Sequence, residues 1–432
     1  MTSTPRGPAE TGRTGEEPSK TTGAAAFRHR DFRLYFFGKV FASIALHMVT
    51  VAVGYQVYDM TGRPMDLAYI GLSVFAPAIG FCLITGYVSD LYDRGLVLAV
   101  CYAVMMVAAV LFVAFTLSGT TAAWPAFLIM SVMGVGRAFY QPASTSFVPN
   151  LVHPAEFPNA VAWNTAANKV SQVIGPSLGG GLYLLGPAVV YAVAAVSLLF
   201  GIVTTVLIHT RTHRTGREPV SFATLFAGLR YVFEKKILFG AITLDLFVVF
   251  LGGVTALIPI YAKDILAVGP SGAGFLRSAA AFGAVLSAVA LTQISLNRAV
   301  GKILFTTVFV FGAATIVFGM SNIFWLSMAA MAVIGGSDMV SVYIRSTLLQ
   351  IAMLDQMRGC VSAVNSIFTG TSNEIGEFRA GTMAAFIGTV PAVVAGGIGS
   401  ILVAAACSRL FPVLLRVERM DRDLLEEPSA GR

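Results

Sequence analysis

Gly86-Tyr-Val-Ser-Asp-Leu-Tyr-Asp-Arg-Gly95 is a short charged stretch between two long apolar runs, residues 67–88 and 96–117. Each run exceeds the ~18 to 20 residues that a helix needs to cross hydrocarbon, so the stretch reads as a tight turn between two membrane spans. Asp90, Asp93 and Arg94 are costly in lipid, which fixes the turn at a membrane surface. Gly86 and Gly95 let the backbone bend sharply and the helices approach closely.

The composition agrees. The chain of 432 residues is 56% hydrophobic and 12% charged, with a mean hydropathy of +0.77, whereas a soluble domain carries about a quarter charged residues. Whole windows lack charge instead of alternating apolar and polar faces, so this is a polytopic membrane protein and not a soluble enzyme. The net charge of +7 sits in short loops and tails, where it reports topology, and no nucleic-acid partner is expected. Cys82, Cys101, Cys360 and Cys407 are isolated in or beside apolar runs, without metal or redox spacing, and read as free thiols; no metal or cofactor is expected. Residues 1–26 have no apolar core, so they read as a disordered cytoplasmic tail and not as a signal peptide.

Phe27-Arg-His-Arg-Asp-Phe-Arg-Leu-Tyr35 is basic and aromatic and suits the headgroup surface. Spans are expected at about 35–58, 67–88, 96–117, 123–143, 160–186 and 188–208, then at about 237–262, 272–293, 303–320, 323–345, 360–388 and 391–412. Between the two sets, residues 209–236 carry Arg211, Arg214, Arg217, Arg230, Lys235 and Lys236 and form a linker. Phe222, Leu225, Phe226, Leu229 and Phe233 recur within it at helical spacing, which predicts an amphipathic helix on the membrane. The expected organisation is an all-α membrane protein of twelve transmembrane helices: a tail 1–26, a six-helix bundle 27–208, the linker 209–236, a second six-helix bundle 237–412 and a tail 413–432. The linker, the opening turn, Arg298, Lys302, Arg345, Arg358, Arg416, Arg419 and Arg422 fall on one side, and only Arg63 and Lys263 on the other. That asymmetry predicts a multi-pass protein of the cell's inner (cytoplasmic) membrane with both termini in the cytoplasm.

A Gly-x-x-x-Asp loop with a following Arg between spans two and three, here Gly86, Asp90 and Arg94, resembles the signature loop of the major facilitator superfamily. The resemblance implies that these residues latch the two halves on the cytoplasmic side. Leu91 and Gly95 stand where the pattern has basic residues, which implies a thinner latch. Gly175-Pro-Ser-Leu-Gly-Gly180, with Gly175, Pro176, Gly179 and Gly180, resembles the antiporter motif on the fifth span of exporters in that superfamily. Kinks and close packing alone also account for such a segment. Phe32-Arg-Leu-Tyr35, Gly136-Arg-Ala-Phe-Tyr-Gln-Pro142, Val148-Pro-Asn-Leu-Val152, Leu257-Ile-Pro-Ile-Tyr-Ala262 and Arg358-Gly-Cys-Val-Ser-Ala-Val364 are similar to the branch of enterobactin and macrolide exporters. Cys360 departs from that branch, and residues 294–302 hold no Asp for a second signature loop.

Ionisable residues inside spans are candidates because each is costly in lipid without a partner or water. The first half offers Arg137 and Lys169; Arg137, Gln141 and Ser144 share one helix face, and Asn164, Asn168 and Gln172 form a polar stripe that serves a cavity or an interhelical network equally well. The second half carries Asp245, Asp338, Glu374 and Glu377, with Arg277 and Arg379 as nearby bases. Glu374 and Glu377 lie on one face, flanked by Gly370 and Gly381, and cannot easily both be ionised. The expectation is that one of them carries a coupling proton, with Asp245 or Asp338 as relay or ion-pair partner; structural neutralisation by Arg277, Arg379 and Arg345 is the equal alternative. His47 reads more simply as a packed side chain than as a proton shuttle, and Tyr55, Gln56 and Tyr58 with Phe75 and Phe81 are candidates for a cavity wall.

No Gly-x-x-x-x-Gly-Lys-Ser/Thr and no nucleophile, base and acid set occurs, so no ATP-driven pump or enzyme is expected. The expected activity is proton-driven export of an amphipathic small molecule, such as a siderophore or drug, by a monomer working through alternating access. An importer of the same fold, or a sensor or assembly factor without flux, are the alternatives.

Overall fold

The computed structural model describes residues 23–210, 229–293, 299–352, 358–415 and 417. Twelve long helices carry the fold: α1 Arg30–Thr61, α2 Pro64–Leu91, α3 Arg94–Leu117, α4 Trp124–Phe147, α5 Phe157–Tyr183, α6 Pro187–Val206, α7 Lys236–Gly252, α8 Gly269–Gln293, α9 Val300–Met320, α10 Phe324–Ala352, α11 Arg358–Ile387 and α12 Thr389–Leu410. They alternate in direction, so both ends of the described chain lie on one face, the terminal face; the opposite one is the far face. Most of the amphipathic linker helix falls outside the described residues, and residues 229–234 are helical.

Nine of the twelve are long and apolar enough to span hydrocarbon. Among the described residues, α4, α5 and α11 are the exceptions. These are the helices with Arg137, Lys169 and Glu374, and the site below accounts for their polarity.

Three boundaries depart from expectation. The turn around residue 92 is shorter than ten residues, because α2 stays helical through Leu91 and Asp93 caps α3, its carboxylate accepting from the Leu96 N–H at 3.0 Å. Residues 23–26 do not belong to a free tail: Ala25 and Ala26 are buried, the Ala26 N–H donates to Asn159 at 3.1 Å, and Asn159 and Trp163 both donate to the Gly23 carbonyl. The ring of Phe27 packs edge-on against Phe32, Phe36 and Trp163, which draws the segment onto α5. Finally, α7 ends at Gly252, and the chain continues through a 3-10 turn at 255–257 and a π turn at Tyr261–Ile265.

A helix that breaks in hydrocarbon exposes carbonyls that must find donors. Arg379 on α11 supplies them, donating from Nε to the Phe250 carbonyl at 2.8 Å and from Nη2 to that of Leu251 at 2.5 Å, with its guanidinium over the Phe250 ring.

The halves meet through α5 against α8, α2 against α11 and α1 against the segment after α7. On the far face Lys263 pairs with Asp59 at 2.5 Å, and the Tyr58 hydroxyl donates to Asp264. Cys101 and Cys407 are free and buried.

Candidate functional site

Between the halves lies a cavity of two joined lobes, about 720 Å³ and 310 Å³, which share His47, Thr50, Val74, Arg137 and Glu374. The larger lobe runs toward the terminal face, past Ile79 and Thr85 on α2 and Gln141 and Pro142 on α4. Toward the far face the smaller lobe meets Gly54, Leu67 and Pro259, and beyond it the helices close.

The closure is built from small residues. Gly180 on α5 and Gly274 on α8 touch backbone to backbone: a Cβ added to Gly180 would overlap the Pro270 carbonyl, and one on Gly274 the Pro176 carbonyl. Only glycine permits that approach. On the other side of the cavity a Cβ on Gly381 would stand 2.9 Å from Ala68 of α2. Within the first half, Gly175 and Gly179 seat α5 on His47 and Met48 of α1.

Four charged side chains line the smaller lobe: Arg137 from α4, Arg277 from α8, and Glu374 and Glu377 from α11. Both guanidinium groups lie within electrostatic range of Glu374, and of His47 on α1. Among the described residues no ion pair within 4 Å and no hydrogen bond joins any of the four. A charge left without a partner at this depth needs water or a ligand. The stripe on α11 is continuous: Gly370 has open space before it, Glu374 and Glu377 follow, and Gly381 packs on α2.

The other acids of the second half sit apart. Arg345 is buried and forms an ion pair with Asp245, which also accepts from Thr369 at 3.2 Å, and Asp338 lies within electrostatic range of both and of Lys169 from the first half. Arg345 is thus not a loop charge: it lies within α10 and neutralises a buried carboxylate, the structural alternative that the sequence also offers. Arg379 holds the carbonyls at the end of α7 through Nε and Nη2, and its Nη1 donates to the Met383 sulfur at 2.8 Å.

Of the amide stripe on α5, Asn168 and Gln172 line the larger lobe together with Gln141, but Asn164 does not. Asn164 accepts from Lys39 at 2.5 Å and from Tyr35 at 3.4 Å, and Tyr35 also bonds Ser144 at 2.8 Å. Tyr55 and Gln56 likewise turn away from the cavity. Gln56 accepts from Tyr191 at 2.7 Å and donates to Thr116 at 3.0 Å, tying α1 to α3 and α6, and the Tyr55 ring packs on Tyr183. Phe75 lines the larger lobe, whereas Tyr58 belongs to the far-face contact and Phe81 packs on Phe139. Arg94 donates to the Ser146 carbonyl at 2.8 Å, within its own half; the surroundings of Gly86 and the side chain of Asp90 lie outside what the structure describes.

Lys39 is the residue that sequence reasoning missed. It is 3% exposed, inside the first span, and four residues after Tyr35 on the same helix face. Its sequence signal is one cation in an otherwise apolar run, obscured by the basic segment just before it.

The comparisons agree with this architecture. The chain is 22% identical over 400 residues to the enterobactin exporter EntS of Shigella boydii serotype 18, covering 90% of this chain and 93% of that protein. The same protein of Escherichia coli O157:H7 matches to the same extent, 22% over 90% of this chain and 93% of its own. Among solved structures, a bacterial homologue of the iron transporter ferroportin in its inward-facing state superposes with a TM-score of 0.67 at 14% identity, covering 90% of this chain and 99% of that one. A POT family transporter in complex with 5-aminolevulinic acid gives a TM-score of 0.70 at 10% identity, covering 89% and 97%. At such identities these structures speak for the fold alone. The model of the transmembrane secretion effector family matches residues 21–428, nearly the whole chain, and the protein therefore belongs to that family of major facilitator membrane transporters.

Proposed function

We propose that the protein exports an amphipathic small molecule across the cytoplasmic membrane in exchange for protons, by rocking its two halves about the central cavity. One observation carries the reading: a cavity between the halves, narrowed toward one face by glycine contacts, holds two adjacent carboxylates at its centre. Glu374 and Glu377 repel each other when both are charged, and a proton bound to the pair relieves that repulsion. Asp245, by contrast, is neutralised by Arg345 and serves as an ion-pair partner, with Asp338 within electrostatic range of both. Export over import rests on the similarity to the enterobactin exporter and on the Gly175 to Gly180 segment. With both termini cytoplasmic, the larger lobe would receive substrate from inside the cell.

The test is proton movement in everted membrane vesicles with a pH-sensitive dye, adding siderophores, macrolides and lipophilic cations in turn. The wild type is expected to release lumenal protons with at least one compound, and Glu374→Gln or Glu377→Gln to lose that release. Proton movement that survives in both variants sinks the assignment of the coupling acid. Substrate accumulation in the opposite direction would mark an importer.

A further inference from the structure

The two lobes of the cavity differ in chemistry. Four ionic side chains converge on the smaller one, Arg137, Arg277, Glu374 and Glu377. On the α2 side the larger lobe presents Val74, Phe75, Ala78 and Ile79, and Leu46 joins them from α1. The ionic group carries two positive and two negative side chains that balance each other in number yet do not pair. Had the site evolved only to neutralise its own charges, each Arg would close on a Glu, as Arg345 does on Asp245. Unpaired, two cations and two anions face one small volume.

We infer that the substrate is an amphipathic zwitterion, its anionic group held between Arg137 of one half and Arg277 of the other, its cationic group against Glu374 and Glu377, and its apolar part in the larger lobe. This rests on the proposed exchange of substrate for protons at the site. A guanidinium pair suits a carboxylate or similar planar anion through charge-assisted bonds. The volume of about 310 Å³ accommodates a head group and the remaining 720 Å³ a tail. The sign of coupling in such an exchange points the same way. A purely anionic ligand binds better when the glutamates are protonated, so it and the proton would travel together. A cationic group needs an ionised glutamate, so it and the proton exclude each other, which is what exchange demands. The groups that face Glu374 in this balance are His47, Arg137, Arg277 and Glu377.

The experiment uses the full chain in lipid nanodiscs and four ligands with one tail: α-aminooctanoic acid, octanoate, octylamine and octanol. Binding is read by titration calorimetry, with empty nanodiscs subtracted. The zwitterion is expected to bind at least about tenfold more tightly than octanoate or octylamine, since each of those leaves one pole unsatisfied. Arg137→Gln and Arg277→Gln should lose the advantage over octylamine, and Glu374→Gln the advantage over octanoate. If one Gln variant does not fold, the other Arg, on the opposite half, reads the same loss. Binding of octanoate or octylamine within about twofold of the zwitterion overturns the inference, as does the absence of binding by all four to protein with a cooperative thermal transition. Proteoliposome flux keeps the two readings distinct: a zwitterion that binds preferentially but is not expelled against a proton gradient refutes export alone, and an expelled compound without that preference refutes the zwitterion alone.

Discussion

Replacing Gly180 by Ala tests whether the crossing of α5 and α8 holds the far face shut. A Cβ there would stand 3.1 Å from both Cα and N of Gly274 and would overlap the Pro270 carbonyl oxygen. All of these are backbone atoms, so no rotamer change relieves the contact and the two helices must part. Overpacking of this kind costs ~1–3 kcal/mol. Because α5 and α8 belong to different halves, the penalty falls only on the state in which this face is closed, and a penalty of ~1–3 kcal/mol moves a conformational equilibrium ~5 to 150-fold toward the other state. Gly181 is the control: a Cβ there meets nothing within 4 Å. The assay places spin labels at Thr120→Cys and Asn322→Cys, in exposed turns of the two halves on the far face, with the native cysteines replaced by Ser. Pulsed electron resonance then gives the distance distribution. The long-distance population should grow in Gly180→Ala and stay at the wild-type level in Gly181→Ala. Identical distributions for wild type and Gly180→Ala would show that the crossing does not set the equilibrium.

Three further outcomes follow from the same contacts. Arg345→Met should lower the thermal midpoint strongly, on the scale of the ~3–5 kcal/mol for breaking one side of a buried pair, because Asp245 and Asp338 are left together; adding Asp245→Asn should recover much of the loss. Asn164→Ala should destabilise by ~1–3 kcal/mol by leaving the buried Lys39 without its acceptor, whereas Asn168→Ala, on the cavity wall, should leave the thermal midpoint within the scatter of surface changes and alter ligand binding instead. Lys263→Ala removes a half-exposed pair worth ~0–1 kcal/mol, so it should shift the far-face distances less than Gly180→Ala, and less still at high salt.

Nine of the helices were legible because hydrocarbon imposes a length and a lack of charge that short windows reveal; α4, α5 and α11, more polar, were legible from their length and their place between the others. The departures have local causes. The turn at residue 92 is shorter than the polar composition of residues 86–95 suggests, because α2 stays helical through Leu91 and Asp93 caps α3 two residues later. The break in α7 was not legible, since Gly252-Gly253 tolerates helix and break alike and the donor that permits the break, Arg379, is more than a hundred residues away. For the site, spacing found what lies on a single helix: Glu374 and Glu377 do share a face toward the cavity. What spacing cannot give is which neighbour a polar face meets. Asn164 and Asn168 are one turn apart, but the first meets Lys39 and the second open space. Tyr55 and Gln56 looked like a cavity wall for the same reason, and Tyr191 and Thr116 claim Gln56 instead.

The unpaired charges bear on coupling itself. In the state described here, Arg137, Arg277, Glu374 and Glu377 border a cavity wide enough for water, so their hydration offsets the missing partners. Closing the terminal face and expelling that water would strand four charges in a medium where each costs several kcal/mol. The empty protein should therefore resist the transition, and a ligand or proton that neutralises the poles should lower the barrier. Neutralising them by mutation should do the same without any ligand. In Arg137→Gln, Arg277→Gln, Glu374→Gln, Glu377→Gln combined, the far-face labels are expected to report a larger open population in the absence of substrate, and vesicles bearing this variant should show no ligand-dependent proton movement. If the unliganded distances match those of the wild type, the charges do not restrain the empty carrier, and the restraint lies in the helix contacts alone.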